Sequence, residues 1–296
     1  MNINRRFELR LTPASAPYIF MLPFLLFFLT FRVGPILWSL VFCFMQWDGF
    51  APPRFIGLGN FTALLDSERF WKSIANTFYI IIVYNAVMLS LAIALAVLIT
   101  EKGIRFKRFF RTIYFLPVAT SLTVCAIVFD RVLASKYGFV NIVLQQLGGS
   151  GSVPFLSSPE WINNSIIIMK IWRGTGYYVA YMVAGLMSIS PTWYEAAEID
   201  GAGFFRKHLS VTLPSLKPII MFCAIMSIIL SFQTFDEPWV LTQGGPSDAS
   251  LTMQILLYQS SFVFNKIGLG SALSYIMTLM MVAMSLLNSY LFQGKD

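Results

Sequence analysis

Within an apolar stretch of the chain, the run MKIWRGTGYY sets Lys170, Arg173, Gly174 and Tyr177 at offsets of zero, three, four and seven, positions that share one face of an α-helix. Two cations on an apolar helix are costly against lipid, so this stripe is expected to face a bundle interior or a watery cavity. The competing expectation is that both long side chains snorkel to the exterior headgroups. Paired cations in a low-dielectric cavity would suit a carboxylate, sulfonate or phosphate. Tyr177 would add an aromatic face and a hydroxyl for a sugar ring. Further along, Ser227, Ser231 and Thr234 repeat offsets of zero, four and seven, with Gln233 on an adjacent face. Small hydroxyl residues of this kind serve helix packing as readily as solute contact. Asp236 and Glu237, beside Pro238, read as interfacial charge at the outer end of a span rather than as solute ligands.

Other chemistry lacks its groups. No G-x-x-x-x-G-K-[ST] phosphate loop occurs, and the cluster Gly148 to Gly151 is followed by Ser, Val and Pro, with no lysine to reach a phosphate. The single histidine, His208, lies in a basic segment without an obvious nucleophile and is expected to be exposed. A membrane-embedded hydrolase or transferase would need paired carboxylates or metal ligands, yet there is no HExxH and the apolar runs carry essentially no acids. Cys43, Cys125 and Cys223 each fall inside an apolar run and read as packing residues, not as a disulfide framework or metal site. No catalytic residue, metal or bound cofactor is expected.

The elements that must position these residues are membrane helices. The 296 residues are 57% apolar and only 12% charged, about half the roughly 25% charge of an ordinary soluble domain. The apolar residues are blocked into runs at about 17–45, 73–100, 109–133, 161–189, 218–241 and 271–292. Each is long enough for a hydrocarbon layer of roughly 30 Å, and lipid admits only helices or closed barrels. An all-α membrane protein with six spans is expected, forming a single transmembrane domain over 1–296. The first run continues past Arg32 with no small-residue cleavage site, so it reads as an uncleaved span rather than a signal peptide.

The net charge of +7 sets topology here and does not point to nucleic acid. On one side lie Arg5, Arg6, Arg10, Lys102, Arg105, Lys107, Arg108, Arg111, Arg206, Lys207, Lys217 and Lys295. The other side has half as many: Arg54, Arg69, Lys72, Arg131, Lys136 and Lys266. The positive-inside bias then puts both termini in the cytosol.

Between the fourth and fifth runs, TWYEAAEIDGAGFFRKHLSVTLPSLKP (192–218) falls on the cytosolic side. Thr192 and Glu195 have the spacing of a capping box, so a helix is expected to start just after Pro191. Gly201 should stop it by taking a left-handed conformation. A second helical turn is expected from Phe204 to Leu209, with Pro214 and Pro218 breaking it before the fifth span. A short bent helix between two spans suits docking into a partner's groove and transmitting a push.

In this segment the chain resembles the integral-membrane subunits of binding-protein-dependent ABC importers. Glu195, Ala196, Ala197, Gly201, Leu213 and Pro214 stand in the register of that family's EAA motif, with Val211 where Ile is commoner. EAAEIDGAG followed by TLP is similar to the carbohydrate-uptake branch. Further marks are LPF and GPILWSL in the first run, FIGLGNF at 55–61, Asn76-Thr77, FLP at 115–117 and LTQGGP at 241–246.

The resemblance implies a type I importer permease in the bacterial cytoplasmic (inner) membrane, working by alternating access. It implies a coupling role for Glu195, Ala196, Ala197, Asp200, Gly201, Ala202, Gly203, Leu213 and Pro214. It also implies a substrate path lined from Trp172 to Gly174. The implied partners are a second homologous permease, two ATP-binding subunits that use ATP and Mg, an extracytoplasmic solute-binding protein, a sugar-like solute and membrane lipid. GPILWSL resembles the first member of a heterodimeric pair. The rival from another class is a passive channel or ion-coupled carrier, for which acidic residues deep in the spans would be expected.

Overall fold

A computed structural model describes residues 16–101, 107–149 and 151–292. Arg5, Arg6, Arg10, Lys102, Arg105 and Lys295, which contribute to the charge bias, and both termini lie outside the described residues.

The first span is α1 (Ala16–Phe28), a π-helical turn (Leu29–Val33) and α2 (Gly34–Phe42). The π turn falls directly before Gly34-Pro35, where a proline has no N–H to donate and its ring crowds the preceding turn. A short hairpin of β1 (Met45–Gln46) and β2 (Arg54–Phe55) follows, and then α3 (Gly59–Leu65) and the long α4 (Glu68–Thr100). The third expected span is not one helix: α5 (Lys107–Ala119) and α6 (Leu122–Val132) meet at 99°. Pro117 weakens the end of α5, and Ser121 turns extended with ψ of 134°. After α7 (Phe139–Gln146), α8 (Ile162–Ser188) crosses the molecule.

The segment expected on the cytosolic side holds α9 (Pro191–Ile199) and α10 (Phe204–Lys207). A second π turn (His208–Thr212) leads into α11 (Leu213–Phe232). Pro214 and Pro218 therefore do not break the chain here, contrary to expectation. The π turn accommodates the donor that Pro214 lacks, as at Pro35, and the helix runs on from Phe204 to Phe232. It ends nine residues short of the expected 241 and breaks before α12 (Asp236–Thr242). The chain closes with α13 (Met253–Tyr258), a third π turn (Gln259–Val263) and α14 (Ile267–Phe292).

Among the described residues, four helices are long and apolar enough to cross a membrane, and the bent α5–α6 pair makes a fifth candidate. At 27 residues α8 has the length, but its asparagines and cations keep it out of that apolar set. The core is built on α4 and α8, with Ile80, Met88 and Ala92 of one packed among Ile162, Ile166, Val179 and Met182 of the other. A second cluster joins α11 to α14 through Ile228, Phe232, Leu273 and Met277. The first span buries no residue within the chain, as a helix facing lipid or another subunit would.

Several sequence marks are ties between loops and long helices. Asn76 donates to the carbonyls of Asp248 (3.0 Å) and Leu251 (3.1 Å), and the Met253 amide donates to Thr77 Oγ1 at 3.0 Å. Asn76-Thr77 thus holds the loop that LTQGGP opens. Asn60, within FIGLGNF, donates to the carbonyls of Cys43 (2.8 Å) and Met45 (2.9 Å).

Candidate functional site

The segment 190–203 folds as a bent helical turn. Pro191 takes the first turn of α9 with Ser190 in the cap position, where Ser190 and Thr192 hydroxyls lie 2.8 Å apart. The expected Thr192–Glu195 capping box is not formed. Proline is pre-set for the first helical turn, so the helix begins before Thr192, which lies inside it. At the other end Gly201 has φ of +74°. Its amide donates to Glu198 O (3.0 Å), and that of Ala202 donates to Ala197 O (2.9 Å). That pair of bonds is a Schellman motif, which satisfies the last carbonyls of the helix. Gly203 then caps α10. Glu195, Ala196, Asp200 and Pro214 are exposed, while Ala197 and Leu213 are half-buried.

His208 is not the exposed residue expected of it. Its side chain is 16% exposed. Nδ1 lies 2.8 Å from Thr212 Oγ1, Nε2 lies 3.0 Å from Glu101 Oε1, and the ring packs edge-on against Phe204 at 4.5 Å. Glu101 caps α4, so His208 ties the end of α4 to the start of α11. No spacing rule could bring together residues 107 apart in the chain. Beside it, Lys207 donates to Glu198 at 3.0 Å, and this carboxylate holds the Lys207 ammonium above the usual lysine range.

The second site lies where α11 breaks. A helix broken at membrane depth frees backbone groups, which is tolerated where they are buried in protein or line a watery cavity. Here the Thr234 carbonyl accepts from Thr252 Oγ1 at 2.8 Å, and the break borders a cavity of about 320 Å³. Across from it, α8 presents Lys170, Arg173, Gly174 and Tyr177 on the cavity wall, together with Ser231, Gln233 and Thr234 from the break. The stripe of Lys170, Arg173, Gly174 and Tyr177 therefore borders a cavity within the chain.

The electrostatics differ from expectation. Lys170 Nζ donates to Thr234 Oγ1 at 2.8 Å, stands 3.6 Å from Glu237 Oε1 and lies 5.1 Å from the centre of the Tyr84 ring. Both charged side chains are 9% exposed. Glu237 is therefore no interfacial charge: the break turns it inward, and a buried carboxylate requires a partner such as Lys170. The apolar runs accordingly do contain a buried acid. Arg173 and Asp236 also line the cavity. Neither is in an ion pair among the described residues, and Arg173 Nε is buried without a hydrogen-bond partner.

Other candidates are placed differently. A Cβ on Gly174 would collide with the Tyr84 hydroxyl, so this glycine makes room for the ring that faces Lys170. The Tyr177 hydroxyl lies 2.9 Å from that of Tyr181. Trp172 points away from the cavity and packs on Phe129 with ring centres 5.4 Å apart. Ser227 is fully buried and does not line the space. Tyr84 and Tyr178, which do, escaped the sequence reading. The signal available for Tyr84 was a hydroxyl beside Asn85 within a long apolar run.

Comparison with known proteins agrees with this architecture. Residues 86–294 match the family model described as binding-protein-dependent transport system inner membrane component. The chain is 34% identical over 277 residues to the lactose transport system permease protein LacF of Rhizobium radiobacter, covering 92% of each chain. It is 33% identical to the sulfoquinovosyl glycerol transport system permease protein SmoG of Agrobacterium fabrum, over 83% of this chain and 79% of that one. In fold it is similar to a chain from the crystal structure of a bacterial ABC transporter involved in import of the acidic polysaccharide alginate. That match has a TM-score of 0.82 and 24% identity, and covers 94% of this chain and 95% of the other.

Proposed function

The chain belongs to the inner membrane components of binding-protein-dependent transport systems, and from that premise we propose that it is the six-span, first-member permease of an ATP-driven sugar or oligosaccharide importer. It is a transport component, and ATP and Mg are used by two separate ATP-binding subunits. A second homologous permease completes the pore, and an extracytoplasmic solute-binding protein delivers the cargo. Both termini lie in the cytosol.

One observation carries the reading: both helices that leave the hinge contribute walls of the cavity. α8 runs from Lys170, Arg173 and Tyr177 down to Ser188, next to α9. The helix that leaves α10 climbs to Phe232, at the broken wall. A push on Glu195, Ala196, Ala197 and the Gly201 bend would therefore move both walls together, as alternating access requires. His208 and Glu101 would carry the same movement to α4.

The cargo fits a neutral polyhydroxylated solute better than an anion. Of the two cations, Lys170 is neutralised by Glu237, and Arg173 is balanced in sign by Asp236 across the same space. Arginine, aspartate, glutamine and tyrosine side chains supply both donors and acceptors for sugar hydroxyls. Among the relatives the name lactose denotes a neutral sugar and sulfoquinovosyl one that bears a sulfonate, so the cavity of this chain, rather than its kinship, argues for charge.

Purification of the chain from its native membrane tests the assignment. Recovery of a P-loop ATPase, lost on Gly201→Asp or Glu195→Lys, is the expected result. Consistent absence of an ATPase would support a passive channel or ion-coupled carrier instead, and uphill uptake by vesicles that contain no ATPase would single out the ion-coupled carrier.

A further inference from the structure

We propose that Glu237 sets the charge selectivity of the cavity by neutralising Lys170. This deepens the importer reading and rests on it. The Lys170 side chain is 9% exposed, and its neighbours are the Thr234 hydroxyl at 2.8 Å, the Tyr84 ring at 5.1 Å and the Glu237 carboxylate at 3.6 Å. Only Glu237 among these carries charge. Arg173 and Asp236 border the same space with opposite signs, so the four groups sum to zero and a neutral solute enters without an unbalanced charge.

Glu237 reaches Lys170 because α11 stops at Phe232 and α12 restarts at Asp236. The Glu237→Gln exchange keeps shape and hydrogen bonding while leaving Lys170 as an excess positive charge. Lys170→Gln leaves Glu237 as an excess negative charge. In a partly dry cavity one unit charge at this range shifts ionic affinity by about ten- to a hundredfold.

The test uses the complete complex of both permeases and ATPase subunits, and measures equilibrium binding of radiolabelled galactose, galacturonate and galactosamine as neutral, anionic and cationic probes. In the unmodified complex galactose should bind at least as well as either charged probe. Glu237→Gln should raise the galacturonate-to-galactose ratio about tenfold or more. Lys170→Gln should raise the galactosamine-to-galactose ratio instead. The double variant should return both ratios to their starting values, which also guards against one single variant failing to fold.

A pair that served only to fasten α8 to α12 would weaken all three probes in parallel, and unchanged ratios in both single variants would overturn the proposal. Failure of the importer reading is separately visible: the unmodified complex, supplied with ATP and its binding protein, would then accumulate no carbohydrate.

Discussion

At Gly201 the backbone takes φ of +74°, and a Cβ placed there would meet nothing within 4 Å. Space is therefore not what requires glycine; the left-handed conformation is, and it costs an L-residue about 1–2 kcal/mol. Gly201→Ala should loosen the α9–α10 bend by about that amount and lower the ATPase rate of the assembled complex, with steady-state hydrolysis in nanodiscs as the measurement. An unchanged rate would mean that the bend does not transmit force. The left-handed turn was legible because glycine after a helical run is itself a local signal. His208 and Glu237 were misjudged for the opposite reason: each is defined by a partner far away in the chain, Glu101 for one and Lys170 for the other. A charge next to a proline near the end of an apolar run looks interfacial until the fold turns it inward.

Among the elements, α8 is the axis on which the others pack, and its glycines decide how closely they approach. A Cβ on Gly176 would collide with the Tyr114 carbonyl of α5, and one on Gly185 with the Ile219 side chain of α11. The first collision is with backbone and cannot be relieved by a rotamer change, so Gly176→Ala should cost about 1–3 kcal/mol. Thermal unfolding in detergent would register the loss, whereas an unaltered midpoint would show that α5 moves freely against α8. The existence of most helices could be read from apolar run length. Their breaks could not: Pro214 and Pro218 signalled an interruption that a π turn absorbs, while the real interruption at Gln233–Phe235 has no glycine and no proline within it. Long-range hydrogen bonding to Thr252 and the Lys170 contacts stabilise that break, and neither is local.

For the molecule as a whole, long-range ties hold the loop 243–252 to the start of α4. Arg69 makes a bidentate contact with Asp248 at 2.8 and 2.9 Å, and this guanidinium holds the Asp248 carboxyl below its ordinary value of 3.8. A depressed carboxylate contributes stability above the unfolded-state value and loses it as pH falls through the folded one. Asp248→Asn should therefore be less stable than the unmodified protein at neutral pH, with the gap closing as pH drops below about 3.8. The gap should be small, because both side chains are about a third exposed and solvent-screened. Paired unfolding curves across pH would check it, and a gap that widened in acid would refute the assignment. At this scale the amino-acid order alone determined a membrane-embedded helical protein, the hinge on one face and its likeness to importer permeases, because hydropathy, turn preference and motif spacing are properties of neighbouring residues. Only the tertiary structure decided which charges meet, that Glu237 neutralises Lys170 and that the hinge helices are also the cavity walls. Those facts depend on how separate helices pack, and Coulomb and hydrogen-bond energies act across space without regard to distance along the chain.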